Sequence, residues 1–435
     1  MSYVTDIFKD IKFELIMLYI ATFIMRFAAY LSIALISYMV LDLVTRGFVI
    51  AFYSIVEILT VSFFGVWSDS RGRKGVLIAS HVITTLGVFL FMIVGAILGK
   101  VPEGQNLDIT VILFVFFPIM GVLGTGAAAK VASTMTMIAD ESTIENRAQY
   151  MGFFDLATLG GFAVGLAAGH IMTLVLNLSL VVSFSTAIIT VVISVIMVYF
   201  LVDETLTTDE IANAEKISLA QSSTRVIHVI KENKDLQKLL PVYIPMISLY
   251  GLLVAFAKDL VEKELSAGLS IHLIVVVGII GVFTGSSMLV MGKLSDTRRV
   301  RRPFIIVGLF ALAILLTLFK IVSFEGLYYW FPVTMILSWG VGMFPPAILA
   351  YLTDISKKDT RGTMFGVYSV IFGSGMIIGP ILGGFFGDLG KQFYGADLGE
   401  TIGLVFTVLL FVVLSSLGTL FLQEKAKEES IPTVA

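Results

Sequence analysis

Apolar residues run along this chain in long stretches separated by short polar turns, and the lengths point to helices that cross a membrane. A bilayer core about 30 Å thick takes roughly 20 apolar residues per helix. Twelve segments meet that length: 14–40, 47–67, 75–99, 109–138, 149–173, 179–202, 239–262, 272–294, 303–323, 327–352, 363–387 and 400–423. Barrel strands would show about ten alternating residues apiece, so the pattern predicts an all-α integral membrane protein. Polar residues inside the runs recur at helical spacing. In the first, Tyr19, Arg26, Tyr30 and Ser37 share one face; in the fourth, Gly126, Lys130, Ser133, Thr134 and Met137 share another. The first run is too long, and lacks the small-residue cleavage site, to be a signal peptide.

Composition agrees: 57% of the 435 residues are hydrophobic and 14% charged, with a mean hydropathy of +0.97, far too apolar for a water-soluble protein. Zero cysteines exclude disulfides, thiol redox chemistry and cysteine-ligated metals. The four histidines are scattered and predict no metal site, and no cofactor is expected. Charge placement orients the chain. With the N-terminus in the cytoplasm, the tails and even-numbered connections, together with the span ends beside them, hold 21 of the 29 basic residues and the outer connections with theirs six. Both termini are therefore expected inside, in a multi-pass protein of the plasma membrane. No basic patch suits nucleic acid, and a monomer in the lipid bilayer is expected.

The chain repeats itself. Asp140, Arg147, Gly152, Gly161, Gly165 and Gly169 align with Asp354, Arg361, Gly366, Gly375, Gly379 and Gly383 at a constant offset of 214 residues. An earlier pair, GVWSDSRGRK (Gly65, Asp69, Arg71, Arg73) and GKLSDTRRVRR (Gly292, Asp296, Arg298), aligns at an offset of 227. The expected organisation is an N-terminal six-helix bundle over 1–203, a cytoplasmic linker over 204–238 and a C-terminal six-helix bundle with a short tail over 239–435. A possible amphipathic helix lies along TRVIHVIKENKDL in the linker. Transporters use such duplicated six-helix units to rock two halves about a central site.

With twelve spans, the G-x3-D-x2-G-R-K turn after the second and its weaker copy after the eighth, the chain resembles the major facilitator superfamily over nearly its whole length. The family's glycine motif, G-x8-G-x3-G-P-x2-G-G, is complete as Gly366, Gly375, Gly379, Pro380, Gly383 and Gly384. In helix 5, where the family's drug antiporters carry it, Leu166 replaces the proline and His170 the last glycine, and Met120 replaces a helix 4 arginine. These departures argue against a drug antiporter. The stretch MRFAAY is similar to part of the signature of proton-coupled peptide transporters, but Thr22 and Met25 stand where that signature has glutamates. The resemblance implies the family's fold of two pseudo-symmetric six-helix bundles, a central cavity lined by helices 1, 4, 7 and 10, and a cytoplasmic gate. Gly65, Asp69, Arg71, Arg73, Asp140 and Arg147, with Asp296, Arg298, Asp354 and Arg361 in the second half, are the gate residues so implied. Positive-inside anchoring alone is the plainer account of those basic turns. The glycine rows of helices 5 and 11 suit close backbone packing, expected where the halves meet.

Three charges lie near the middle of their spans. At 1.5 Å per residue, Arg26 lies ~18 Å along its helix from Glu14, Glu57 ~18 Å from Asp69 and Lys130 ~15 Å from Asp140, so all three share one depth near the bilayer midplane. Each opposes insertion by roughly 2.5–3.5 kcal/mol if it faces lipid, so they face the interior. Glu57, with Tyr53 and Thr60 on its face, is expected to approach Arg26. Asp155 is assigned to the cytoplasmic charge cluster. A buried Arg26–Glu57 pair that only ties two helices together is one account of these charges. The other is functional: two cations against one carboxylate attract an anionic group, and Glu57 exchanges protons. The second half offers Tyr243, Tyr250, Trp339 and Phe344 as aromatic lining or as packing. The nucleotide-binding pattern G-x4-G-K-[ST] is absent, which rules out that route to ATP-driven pumping. The expected function is not an enzyme's: it is secondary, proton-coupled transport of a small organic solute, with an anion the favoured class, by alternating access. Proton-coupled efflux of amphipathic drugs is the alternative, and a non-transporting sensor on the same fold a third reading.

Overall fold

The computed structural model describes residues 11–101, 107–142, 147–213, 228–266, 270–298, 300–321, 329–354 and 361–422, and every element among them is helical. Twelve helices account for the twelve apolar runs. They are α1 (Phe13–Ile36), α2 (Leu43–Arg71), α3 (Arg73–Leu98), α4 (Ile109–Glu141), α5 (Arg147–His170), α6 (Leu180–Leu201), α7 (Lys234–Ser266), α8 (Ser270–Arg298), α9 (Arg302–Ile321), α10 (Phe331–Val341, then Phe344–Asp354), α11 (Arg361–Tyr394) and α12 (Ala396–Thr419). Eleven described segments are long and apolar enough to cross a membrane, and a shorter apolar helix covers Arg302–Leu318. A six-residue helix, Thr208–Asn213, follows α6. Of the amphipathic segment expected in the linker at 224–236, residues 228–232 are helical and 234–236 begin α7, while 224–227 lie outside the described residues.

Local chemistry sets the helix ends. Asp108 caps α4, its carboxylate accepting the Thr110 N–H at 2.7 Å, and those Thr110 bonds hold the Asp108 carboxyl below the usual range. Ser179 caps α6 by accepting the Val182 N–H at 3.3 Å. The turn from α2 to α3 runs through Gly72 at φ +92°, a backbone conformation that glycine adopts without strain. Pro118 brings no N–H to α4, and the turn before it widens to π geometry over Ile112–Phe116. The tenth run is not one helix. Pro345 and Pro346 cannot bond back to the preceding turn, and α10 breaks at Gly342–Met343.

The chain divides into two compact units, Met1–Asp42 with Val49–Ser223, and Leu43–Phe48 with Thr224–Ala435. In the first, α1 packs on α5 and α6, and α3 on α4 and α6; in the second, α7 packs on α11 and α12, and α9 on α10 and α12. The same scheme is thus built twice. Glycine permits the closest of these contacts. Along α5, a Cβ added at Gly161, Gly165 or Gly169 would meet the carbonyl oxygens of Phe23, Phe27 and Leu31 of α1 at 2.5, 2.3 and 2.8 Å. Along α11, Gly375 and Gly379 meet Ile244 and Ser248 of α7 in the same way. Three glycines of α5 and two of α11 are therefore packed inside their own unit. The reason is geometric: glycines four apart make one stripe, and the carbonyls of a neighbouring helix of the same unit fill it.

Candidate functional site

Arg26, Glu57 and Lys130 are all buried in the first unit, at 3%, 4% and 0% exposure. Arg26 Nη1 donates to the Tyr53 hydroxyl at 2.9 Å, and Nη2 lies 3.7 Å from Glu57 Oε1. That second distance is an ionic contact too long for a hydrogen bond. Tyr30 completes the group, with the guanidinium 5.8 Å from its ring and Phe162 edge-on at 4.6 Å. Lys130 sits apart from the pair. Its Nζ is 5.0 Å above the Phe154 ring and has no hydrogen-bond partner. The expected approach of Glu57 to Arg26 is present, and the two tyrosines that flank the arginine belong to the polar faces expected of α1 and α2.

Asp155 is placed differently from its expectation. Eight residues into α5, ~12 Å along the axis, it is 2% exposed and acts electrostatically on Lys130. It is a second buried carboxylate near the cations, so the balance of two cations to one carboxylate becomes two to two.

The second cluster surrounds the turn between α2 and α3. Arg73 holds Asp140 of α4 through Nε at 2.6 Å and Nη2 at 3.4 Å, and Asp69 through Nη1 at 3.2 Å. Arg71 is outside this network, exposed over the Trp67 ring at 6.0 Å. Gly65 has open space where a Cβ would be. Glu204, just past α6, completes the cluster: its carboxylate accepts the backbone N–H groups of Arg73 and Lys74, both at 3.0 Å, capping α3. The neighbouring Thr205 hydroxyl donates to Asp140 Oδ2 at 2.9 Å. Sequence reasoning put Glu204 in a linker; its signal was a carboxylate directly after an apolar run, facing a turn with spare N–H groups. Lys12 pairs with Glu141 at 2.5 Å, and that carboxylate raises the Lys12 ammonium above the usual lysine range. A cavity of about 320 Å³ opens here, lined by Lys12, Glu14, Glu141, Asp203, Glu204 and Thr205 among others. Arg26, Glu57 and Lys130 do not line it. The side chains of Arg147, Asp296, Asp354 and Arg361 lie outside the described residues, and Arg298 is exposed.

In the second unit Tyr243 is buried, with ring centroids 5.9 Å from Phe344 and 6.2 Å from Tyr368. Tyr250 and Trp339 are half-buried, Trp339 with Phe283 at 6.5 Å. One ion pair went unforeseen. Arg46, fully buried, donates to Asp259 Oδ2 at 2.7 Å and lies 5.3 Å over the Phe256 ring, where α7 departs from helical geometry. Arg46 reads as a loop residue in sequence; the carboxylate inside the seventh run was the available sign.

A family model described as the Major Facilitator Superfamily matches residues 18–300 and 244–434. Multidrug resistance protein 2 of Bacillus subtilis (strain 168) is 26% identical over 359 residues, 79% of this chain and 80% of that protein. Tetracycline resistance protein, class E, of Escherichia coli is 27% identical over 141 residues, 32% of this chain and 34% of that one. The crystal structure of the nucleoside transporter NupG matches 95% of this chain and 100% of its own with a TM-score of 0.65. That of the human organic anion transporter MFSD10 (TETRAN) matches 94% and 99% with a TM-score of 0.63. Both are 14% identical to this chain, a likeness of fold alone.

Proposed function

The chain belongs to the major facilitator superfamily and is a membrane transporter of small molecules rather than an enzyme; from that premise we propose that it is a proton-coupled secondary transporter of a small organic anion, working by alternating access. The observation that carries the reading is Lys130, whose ammonium is fully buried and has no hydrogen-bond acceptor. A buried charge without a partner is costly, and a carboxylate or similar group on the substrate supplies what Lys130 lacks. Arg26 and Glu57 form the coupling pair. Their 3.7 Å contact is loose enough to open, and a buried carboxylate parted from its cation is far less costly once it takes up a proton. Asp155 balances the second cation, so binding an anion at Lys130 makes the local charge more negative and favours that uptake.

A second reading, proton-coupled efflux of amphipathic compounds, is favoured by the likeness to Multidrug resistance protein 2 over 79% of the chain. The buried aromatic group of Tyr243, Phe344 and Tyr368 would be its loose apolar wall. Uptake into proteoliposomes under an imposed pH gradient separates the two, using radiolabelled small carboxylates and lipophilic cations as probes. Under the first reading Lys130→Gln weakens carboxylate uptake at least about tenfold, and Glu57→Gln binds the carboxylate but no longer accumulates it. Accumulation by Glu57→Gln equal to the parent would reduce Arg26 and Glu57 to a structural tie. Transport of lipophilic cations that is indifferent to Lys130 would favour the second reading.

A further inference from the structure

Arg26 is closer to the Tyr53 hydroxyl than to the Glu57 carboxylate. Its Nη1 donates to that hydroxyl at 2.9 Å, while Nη2 stands 3.7 Å from Glu57 Oε1. An unconstrained guanidinium closes on a carboxylate, with N···O distances of about 2.7–2.9 Å and often two parallel bonds. Tyr53 and Glu57 are four residues apart on α2 and share one of its faces, so both acceptors stand before the same arginine, and the neutral one holds the short bond. Packing fixes both ends of that bond. On α5, a Cβ added at Gly161 would lie 2.9 Å from the Arg26 Cβ, so α5 closes on the root of the arginine. On α4, a Cβ added at Gly124 would run into the Tyr53 carbonyl oxygen, so α4 closes on the backbone of the tyrosine. The Tyr53 ring meets Tyr30 edge-on, with centroids 6.4 Å apart, and Tyr30 meets Phe162 at 4.6 Å; all three rings are buried.

We propose that Tyr53 is a positioning residue of the coupling pair: its hydroxyl holds the Arg26 guanidinium short of Glu57, so that the carboxylate takes up its proton without first breaking a close ion pair. A carboxylate keeps its ionised form more strongly the nearer a cation lies. A bidentate pair would therefore oppose protonation, and the 3.7 Å spacing opposes it less. The phenol is neutral at working pH, so it draws the arginine away without adding a charge beside Glu57. Lys130 of α4 also acts on Glu57; His81 of α3 and Asp155 of α5 act on Lys130 in turn, and α6 carries no charged side chain. These groups are the same in a variant of Tyr53, so a change at Glu57 there reports the arginine. The spacing stands on geometry, and its consequence for transport rests on the reading of Glu57 as the proton carrier.

Tyr53→Phe removes the acceptor and keeps a ring against Tyr30, so the chain should fold and insert like the parent while Arg26 closes on Glu57. In the full-length protein in detergent, without substrate, infrared titration follows the carboxylic acid band that Glu57→Gln removes. The midpoint of that band should lie lower in Tyr53→Phe than in the parent by about one pH unit, a tenfold rise in the proton concentration required. Uptake of radiolabelled small carboxylates into proteoliposomes should move its half-maximal pH in the same direction. In an Arg26→Gln background Tyr53→Phe should leave the midpoint where Arg26→Gln puts it, because the effect passes through the guanidinium. A midpoint equal to the parent's, with only a lower unfolding temperature, would make Tyr53 a packing residue. A midpoint that rises would mean that the hydroxyl brings the arginine toward Glu57, and an equal shift without Arg26 would mean that the arginine is not the intermediary. Each of these results overturns the proposal. The two readings fail separately: accumulation by Glu57→Gln equal to the parent removes the coupling and leaves the midpoint shift, whereas an unmoved midpoint removes the role of Tyr53 and leaves the coupling.

Discussion

Arg73 and Arg26 meet the cost of a sheltered guanidinium in different ways. Arg73 bridges two carboxylates at close range, Asp140 through Nε and Nη2 and Asp69 through Nη1, whereas Arg26 donates to the neutral Tyr53 hydroxyl and lies farther, at 3.7 Å, from Glu57. The first arrangement holds a turn; the second leaves a contact able to change. The two carboxylates on Arg73 are unequal. Asp140 is 29% exposed at its side chain and Asp69 58%; solvent screens the latter pair, so Asp69→Asn should cost less than about 1 kcal/mol. Asp140→Asn also loosens the Thr205 contact and should cost about 1–2 kcal/mol, read as a lower unfolding temperature in detergent. The reverse order would show that Asp69 carries the cluster. At Glu204, replacement by Ala strips two N–H groups at the start of α3 of their acceptor and should cost about 1–2 kcal/mol. A neutral result in the same unfolding assay would mean that water caps the helix as well.

At the scale of elements, the helix pairs are decided by small residues rather than by apolar content, which is uniform. Lipid tails are as apolar as leucine, so helices associate through close packing. Gly165 of α5 lies against the Phe27 carbonyl of α1, with only 2.3 Å for a Cβ. Gly165→Val should therefore push the two helices apart and destabilise the protein by about 1–3 kcal/mol. Gly152 lies on another side of the same helix with nothing within 4 Å, and Gly152→Ala should gain up to about 1 kcal/mol from helix propensity alone. Thermal unfolding of the two variants checks the contrast, and equal effects would mean that the row does not set the α1–α5 contact.

At the scale of the molecule, the repeated motifs and the repeated packing scheme agree: α1 with α5 and α6 is matched by α7 with α11 and α12, and α3 with α4 and α6 by α9 with α10 and α12. The excess of basic residues on one set of connections predicts the orientation. Because the chain has no cysteine, single cysteines can test it directly. One replacing Asn177, after α5, should react with a membrane-impermeant thiol reagent from outside the cell, and one replacing Glu232, before α7, only after permeabilisation; the opposite pattern would invert the topology. The sequence by itself determined the number of spans, their length and their duplication, because in lipid a backbone must satisfy its own hydrogen bonds and apolar length is therefore legible residue by residue. Constant helical rise also lets the sequence place Arg26, Glu57 and Lys130 at one expected depth. Tertiary structure alone decided which of them touch. Helix rotation and side-chain reach place Arg26 by Tyr53 and Glu57 yet leave Lys130 over Phe154 without an acceptor. They move Asp155 into the interior, bring Glu204 onto the start of α3, and seat Arg46 against Asp259. Contacts between residues 24 to 213 positions apart leave no local pattern, because spacing along one helix records its own faces and not which face of which neighbour it meets.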